Sequence, residues 1–202
     1  MILIYIIIGY LIGSVPFALV IGKVFYHTDV RKFGSGNPGG GNTGRVLGKK
    51  AGVAVMTLDL LKVSLVVLLV KLTGGADLEM AAGGLAAGIG HCFPVFIGFK
   101  GGKAVAAMYG FLFGLFAFAG RSPLYFFLPL AVFMIVLVCW KIIALSSIVS
   151  SAAVAVYICL QQQEALPVKA AVVIFALLIL VRHRSNLERM RRHEERKVTW
   201  LG

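Results

Sequence analysis

Apolar runs of about 20 residues recur along this chain, and that recurrence limits its fold more than any other feature. They start at Met1, Ala51, Leu78, Ala104, Leu124, Ile142 and Ala170, the last open to extension back to Ala165. Lipid offers the backbone no hydrogen-bond partners, so segments of this kind satisfy their N–H and C=O groups internally, as helices. β-barrel alternation is absent. Hydrophobic residues make up 59% of the chain, against roughly 45–50% in a soluble domain. The expected fold is an all-α polytopic membrane protein, a single membrane-embedded domain over 1–202 built as a seven-span bundle. Five spans is the alternative, because some runs are short and residues 104–140 also fit one long tilted span with a surface piece. No basic stretch precedes the first run and no small-residue cleavage site follows it. Residues 1–22 are therefore expected to stay as a span and not to leave as a signal peptide. Pro16 is expected to kink that span.

Charge gives the threading. With seven spans, 17 of the 20 Lys and Arg fall on one side, and only Lys71, Arg121 and Lys169 fall on the other. The positive-inside rule then puts the N-terminus outside and the C-terminus in the cytoplasm. Three polar clusters share the basic face: a glycine loop, a lysine–glycine turn and a basic tail. They are expected to meet at the cytoplasmic mouth of the bundle.

The first cluster is Gly34-Ser35-Gly36-Asn37-Pro38-Gly39-Gly40-Gly41-Asn42-Thr43-Gly44-Arg45. It has no large apolar side chain and cannot build a core. It can bend tightly and let a ligand approach its backbone. Consecutive N–H groups in such a loop form a concavity for an anion, and Arg45 adds a planar donor fork. A plain linker would need neither two Asn nor the Arg. Residues 34–39 match G-x-G-x-x-G, but they follow a membrane span and contain a proline, so a Rossmann site is rejected. The second cluster is Lys100-Gly101-Gly102-Lys103. A nucleotide-binding loop would need Gly at Ile97 and Ser or Thr at Ala104, so ATP hydrolysis is not supported. An anion at the start of the following helix remains compatible with it. The third is Arg182-His183-Arg184-Ser185-Asn186. A lipid-headgroup anchor explains its arginines but not its His and Asn.

Other features read as structural. Cys92, Cys139 and Cys159 sit in apolar segments without disulfide or metal spacing. His91 reads as a packing residue at a span end. Asp59 and Lys62 lie on one face of the second span, where an ion pair and a site role are equally weighted. No metal site, cofactor or Ser-His-Asp arrangement is legible. Nucleic acid is a poor fit, because the basic residues border spans.

Together the three clusters resemble the acylphosphate:glycerol-3-phosphate acyltransferase family of bacterial membranes, often called PlsY. Residues 34–45 resemble its first motif, Gly90-His91-Cys92-Phe93-Pro94 through Lys103 its second, and 182–189 with Glu195 its third. The order and the shared face make the resemblance specific, and it extends over nearly the whole chain. Ala104 and His193 depart from it, each standing where the family usually has Gly. The resemblance implies that the 1-hydroxyl of glycerol 3-phosphate attacks a long-chain acyl phosphate, giving lysophosphatidic acid and phosphate, the first step of phospholipid synthesis. The donor would not be acyl-CoA or acyl carrier protein. Partners would be the two substrates and membrane lipid, at a multi-pass site facing the cytoplasm in the bacterial plasma (inner) membrane. The oligomeric state is left open, a monomer among the options.

Ser35, Arg45, His183 and Asn186 are expected to be catalytic. Gly36, Asn37, Gly40, Asn42, Gly101, Gly102, Lys103, Arg182 and Ser147 are expected to bind substrate. The loop and Arg45 would hold a phosphate and polarise the acyl carbonyl. Gly101, Gly102 and Lys103 would take glycerol 3-phosphate, and His183 and Asn186 would orient its hydroxyl or phosphate. The base is His183 or a substrate phosphate oxygen. Direct transfer is preferred to an acyl-Ser35, because no adjacent base is visible. An anion transporter is the rival reading. It predicts mid-membrane charges and internal symmetry, and Asp59 and Lys62 are the only charges within spans away from their ends and no repeat is found.

Overall fold

The computed structural model describes residues 1–198. Its regular structure is helical: α1 (Ile2–Gly13), α2 (Phe17–Tyr26), α3 (Gly40–Leu47), α4 (Lys49–Leu72), α5 (Asp77–Cys92), α6 (Val105–Ala119), α7 (Leu124–Trp140), α8 (Ile143–Leu160), α9 (Leu166–Arg182) and α10 (Arg184–Arg191). Short 3-10 turns lie at Val30–Lys32 and Val95–Ile97. All seven apolar runs are helical. The first is interrupted at Ser14–Pro16, as the proline requires, and continues to Tyr26.

Among the described residues, four segments are long and apolar enough to cross a bilayer: Ile2–Tyr26, Lys49–Leu72, Asp77–Ile97 and Ile143–Leu160. The bent pair α9–α10 brings the number to five if it counts as one span. Val105–Ala119 and Leu124–Trp140 are shorter apolar helices. Residues 104–140 are thus two helices joined by a turn at 120–123, not one long rod.

The centre of the bundle is α4, which packs on α1, α2, α3, α5 and α6. Its buried Val63, Val66, Val67 and Val70 belong to a core with Phe111 of α6 and Phe175 of α9, whose rings stack 5.6 Å apart. Every basic cluster of the sequence lies away from this core, at one end.

Two polar networks mark the opposite end. Arg121 Nη2 donates to Asp77 Oδ1 at 2.6 Å and lies 3.5 Å from Glu164 Oε1. Tyr125 Oη donates to Glu164 Oε2 at 2.6 Å. The links after α4, α6 and α8 are thereby tied together. The hydroxyls of Tyr5 and Thr73 share a hydrogen bond of 2.7 Å, which places the start of α1 at that same end.

Two segments differ from the sequence expectation. The glycine-rich stretch is a loop only as far as Gly39, and from Gly40 it is the helix α3. Gly, Asn and Thr are poor helix formers, so tertiary contact must supply the stability. It does so through close approach to α4: a Cβ on Gly52 would sit 2.6 Å from Gly44 Cα and 2.9 Å from Gly40 O. The tail is also partly ordered, as α10 and the turn that follows it.

Both departures from the family's glycines fall on left-handed backbone. Ala104, the residue before α6, has φ +62°, and His193, just past the end of α10, has φ +59°. The left-handed region costs a non-glycine residue about 1 kcal/mol. His193 is exposed, so His193→Gly should raise the melting temperature of the detergent-solubilised protein by a few degrees. Ala104 is fully buried, and Ala104→Gly should be near neutral, because the lost methyl offsets the relieved strain. A lower melting temperature for His193→Gly would contradict this account of the turn.

Candidate active site

The site begins with the loop that enters α3. Asn42, 2% exposed, staples it. Its Nδ2 donates to Val30 O at 2.9 Å and Phe33 O at 3.2 Å. Its Oδ1 accepts from Ser35 N at 2.7 Å and Ser35 Oγ at 3.1 Å. All of its polar atoms are engaged within the loop, so its contribution is to fix Ser35 in place. An amide oxygen does not take the Ser35 proton as a base would. Gly36 and Asn37 lie half-buried between Ser35 and the α3 N-terminus. Gly39 caps that helix through its backbone, without a side-chain hydrogen bond. Gly40 is buried against α4, where a Cβ would strike Met56.

The second cluster is a turn clamped from two sides. Gly101 N donates to Cys92 O at 3.1 Å and Gly102 N to His91 O at 2.9 Å. From the other side Arg182 Nε donates to Gly102 O at 3.0 Å and Nη2 to Gly101 O at 2.9 Å. The Arg182 guanidinium also lies 5.2 Å from the centroid of the Phe93 ring. Neither glycine N–H is free for an anion in this arrangement. The residue the turn delivers is Lys103, half-buried, whose ammonium donates to Asn186 Oδ1.

The third cluster closes over the second. Asn186 Nδ2 donates to Glu195 Oε1 at 2.6 Å, and Arg189 Nε to Glu195 Oε2 at 2.7 Å. Asn186 is therefore a dipole between a cation and an anion. The turn at His193 brings Glu195 back to it: His193 N donates to Met190 O and Glu194 N to Arg189 O. His183 is buried, with Nδ1 2.8 Å from Ile179 O. A carbonyl only accepts, so Nδ1 carries the proton and Nε2 is the free acceptor.

The second and third clusters are in direct contact, and the first is coupled to them electrostatically. Burial pulls the Lys103 ammonium down to about 8; Arg189, Arg182 and Arg45 push the same way and Glu195 opposes them. Arg45, an exposed residue, is pulled below the usual arginine range by desolvation from the surrounding chain, then by Arg196; Glu195 opposes this and Arg189 adds to it. Residues 45, 103, 182, 186, 189 and 195 thus share one electropositive end of the bundle. Ser147 is apart from this hydrogen-bonded group: it is buried in α8 and its Oγ donates to Ile143 O at 2.8 Å. Sequence reasoning missed the staple of Asn42, the clamp of Arg182, and the joining of His91 to Asp59 and Lys62. Each depends on contacts between distant segments.

Residues 3–193 match the family model described as glycerol-3-phosphate acyltransferase. The chain belongs to that family. It is 38% identical over 206 residues to the glycerol-3-phosphate acyltransferases of Streptococcus pyogenes serotype M5 (strain Manfredo) and serotype M1, covering 98% of this chain and 93% of each relative. Among solved structures it is similar to PlsY (YgiH), an integral membrane glycerol 3-phosphate acyltransferase. The glycerol 3-phosphate form of that protein aligns with a TM-score of 0.90 at 33% identity, over 99% of this chain and 96% of that one. The lysophosphatidic acid form aligns with a TM-score of 0.86 at 32% identity over the same shares. The acyltransferase family and the helical membrane fold expected from the sequence both stand.

Proposed function

We propose that this protein transfers a fatty acyl group from a long-chain acyl phosphate to the 1-hydroxyl of glycerol 3-phosphate, at a site facing the cytoplasm of the bacterial plasma membrane. The observation that carries the reading is the convergence of Arg45, Lys103 and Asn186 from three distant segments on one basic mouth. The solved relatives in glycerol 3-phosphate and lysophosphatidic acid forms support the acceptor and the product. The asymmetry of Lys and Arg supports the orientation.

Both substrates are anions, so the site has to hold two phosphates close together. Ser35, with Gly36 and Asn37 beside it, and Arg45 hold the acyl phosphate and polarise its carbonyl. Lys103, on the turn shaped by Gly101 and Gly102, takes the phosphate of the acceptor. Gly40, Asn42 and Arg182 act by holding the loop and the turn. His183 Nε2 accepts a hydrogen bond from the glycerol hydroxyl, and Asn186 keeps Lys103 in line. Ser147, buried in α8 with its hydroxyl on Ile143 O, has no part in this arrangement. The hydroxyl oxygen bonds to the acyl carbon, the C–O bond to phosphate breaks, and the proton ends on the departing phosphate. A mixed anhydride has a good leaving group, so positioning and charge supply most of the rate.

The donor is the testable point. Purified protein given glycerol 3-phosphate with palmitoyl phosphate should form lysophosphatidic acid, read by mass spectrometry. Palmitoyl-CoA should give none. Product from palmitoyl-CoA alone would overturn the donor assignment.

The Lys103 ammonium gives a pH prediction. It is charged below about pH 8 and neutral above, so anion binding weakens as pH rises through that value. In the free enzyme kcat/KM for glycerol 3-phosphate should fall tenfold per pH unit above about 8. Lys103→Arg should abolish that limb, because a guanidinium stays charged. An unchanged limb in the variant would assign it to another group.

A further inference from the structure

The proposed mechanism makes no use of the buried cluster formed by Asp59, Lys62 and His91. Lys62 Nζ, on α4, donates to Asp59 Oδ1 at 2.7 Å and to Val15 O at 2.9 Å, and lies 3.2 Å from His91 Nδ1. Asp59 Oδ1 is itself 3.5 Å from His91 Nδ1. Asp59 is 2% exposed, Lys62 4% and His91 7%. An ammonium has three donors and no acceptor, so His91 Nδ1 accepts and all three Lys62 protons are used. The imidazole is fixed in orientation by a charge that is itself fixed in three directions.

The ring's far edge meets the turn of the site. A Cβ on Gly102 would overlap His91 Nε2 and lie 2.7 Å from Cε1, so glycine here is what admits the ring. The His91 carbonyl accepts from Gly102 N at 2.9 Å. The ring is 7% exposed and held between Lys62 Nζ on one edge and the Gly102 backbone on the other, which limits its swing. The next residue is Lys103.

We infer that Asp59, Lys62 and His91 are positioning residues for the transfer. The ion pair on α4 orients the His91 ring, the ring and its carbonyl fix the height of the Gly101–Gly102 turn, and the turn sets the Lys103 ammonium against Asn186. The effect on catalysis rests on the proposed reaction, whereas the placement of Lys103 does not.

The test uses the full-length protein with Asp59→Leu and Lys62→Met combined. Replacing a buried ion pair by apolar residues of similar size is commonly neutral for stability, whereas removing one partner strands a charge. The expected result is a retained melting temperature and Lys103 labelling by an amine-reactive reagent about fivefold faster than in the parent. KM for glycerol 3-phosphate should rise about tenfold with kcat within twofold, the scale of a sub-ångström misplacement. Unchanged Lys103 labelling would overturn the proposal. If the parent labels as described but turns over no acyl phosphate, the functional reading fails and the positioning claim stands. Should the double variant fail to fold, a cycle of His91→Asn and Gly102→Ala decides. His91→Asn removes the ring edge and keeps an acceptor for Lys62. The two labelling effects should then be strongly non-additive, since one ring contact is lost twice. Additive effects would sink the claim.

Discussion

Arg45→Ala should lower kcat/KM by about 10²–10³, while Lys49→Ala and Lys50→Ala each change it less than threefold. The expected loss is that of one preorganised donor aimed at developing charge, about 2.7–4 kcal/mol. The contrast follows from placement. Arg45 lies in α3 and is coupled electrostatically to Arg189, Glu195 and Arg196. Lys49 and Lys50 open α4 on exposed positions at the membrane border. Neither is coupled electrostatically to Lys103 or Arg45 as Arg189 is. Steady-state kinetics on the three purified variants checks the point. Equal losses in all three would reduce Arg45 to an anchor.

Asn186→Asp should be nearly as damaging, at about 10² in kcat/KM, although it changes one amide to a carboxylate of the same shape. Asn186 works because its two ends differ: the oxygen receives Lys103 and the nitrogen donates to Glu195 at 2.6 Å. A carboxylate there would face Glu195 with like charge and would neutralise the ammonium needed for the acceptor phosphate. The Asn186→Asp/Glu195→Gln double variant restores one donor and removes one negative charge. It should recover about tenfold of the loss, the coupling expected of groups in direct contact. No recovery would mean that Glu195 acts only through Arg189, its partner at 2.7 Å.

These two residues also show what a sequence carries and what it hides. The apolar runs needed no tertiary information, because a span must be long and apolar wherever it packs; α7 is found over Leu124–Trp140, the bounds its composition indicates. The shared basic end was legible for a similar reason, since Lys and Arg gather beside the apolar runs on one side. α3 was hidden because its helicity comes from Gly40 and Gly44 lying on Gly52, not from propensity. Asn42 looked like a ligand because the sequence cannot show that Val30, Phe33 and Ser35 already occupy it. Asp59 and Lys62 announced their pairing by spacing, but their link to His91 spans 29 residues and exists only once α4 and α5 are side by side. Ala104 and His193 stood out against the family's glycines, and their left-handed backbone supplies the reason.

The most direct test of the account is phosphate release from palmitoyl phosphate by the purified protein, with and without glycerol 3-phosphate. Release should depend on the acceptor and match lysophosphatidic acid mole for mole. Release that proceeds equally without acceptor, or no release from a folded sample, would contradict it.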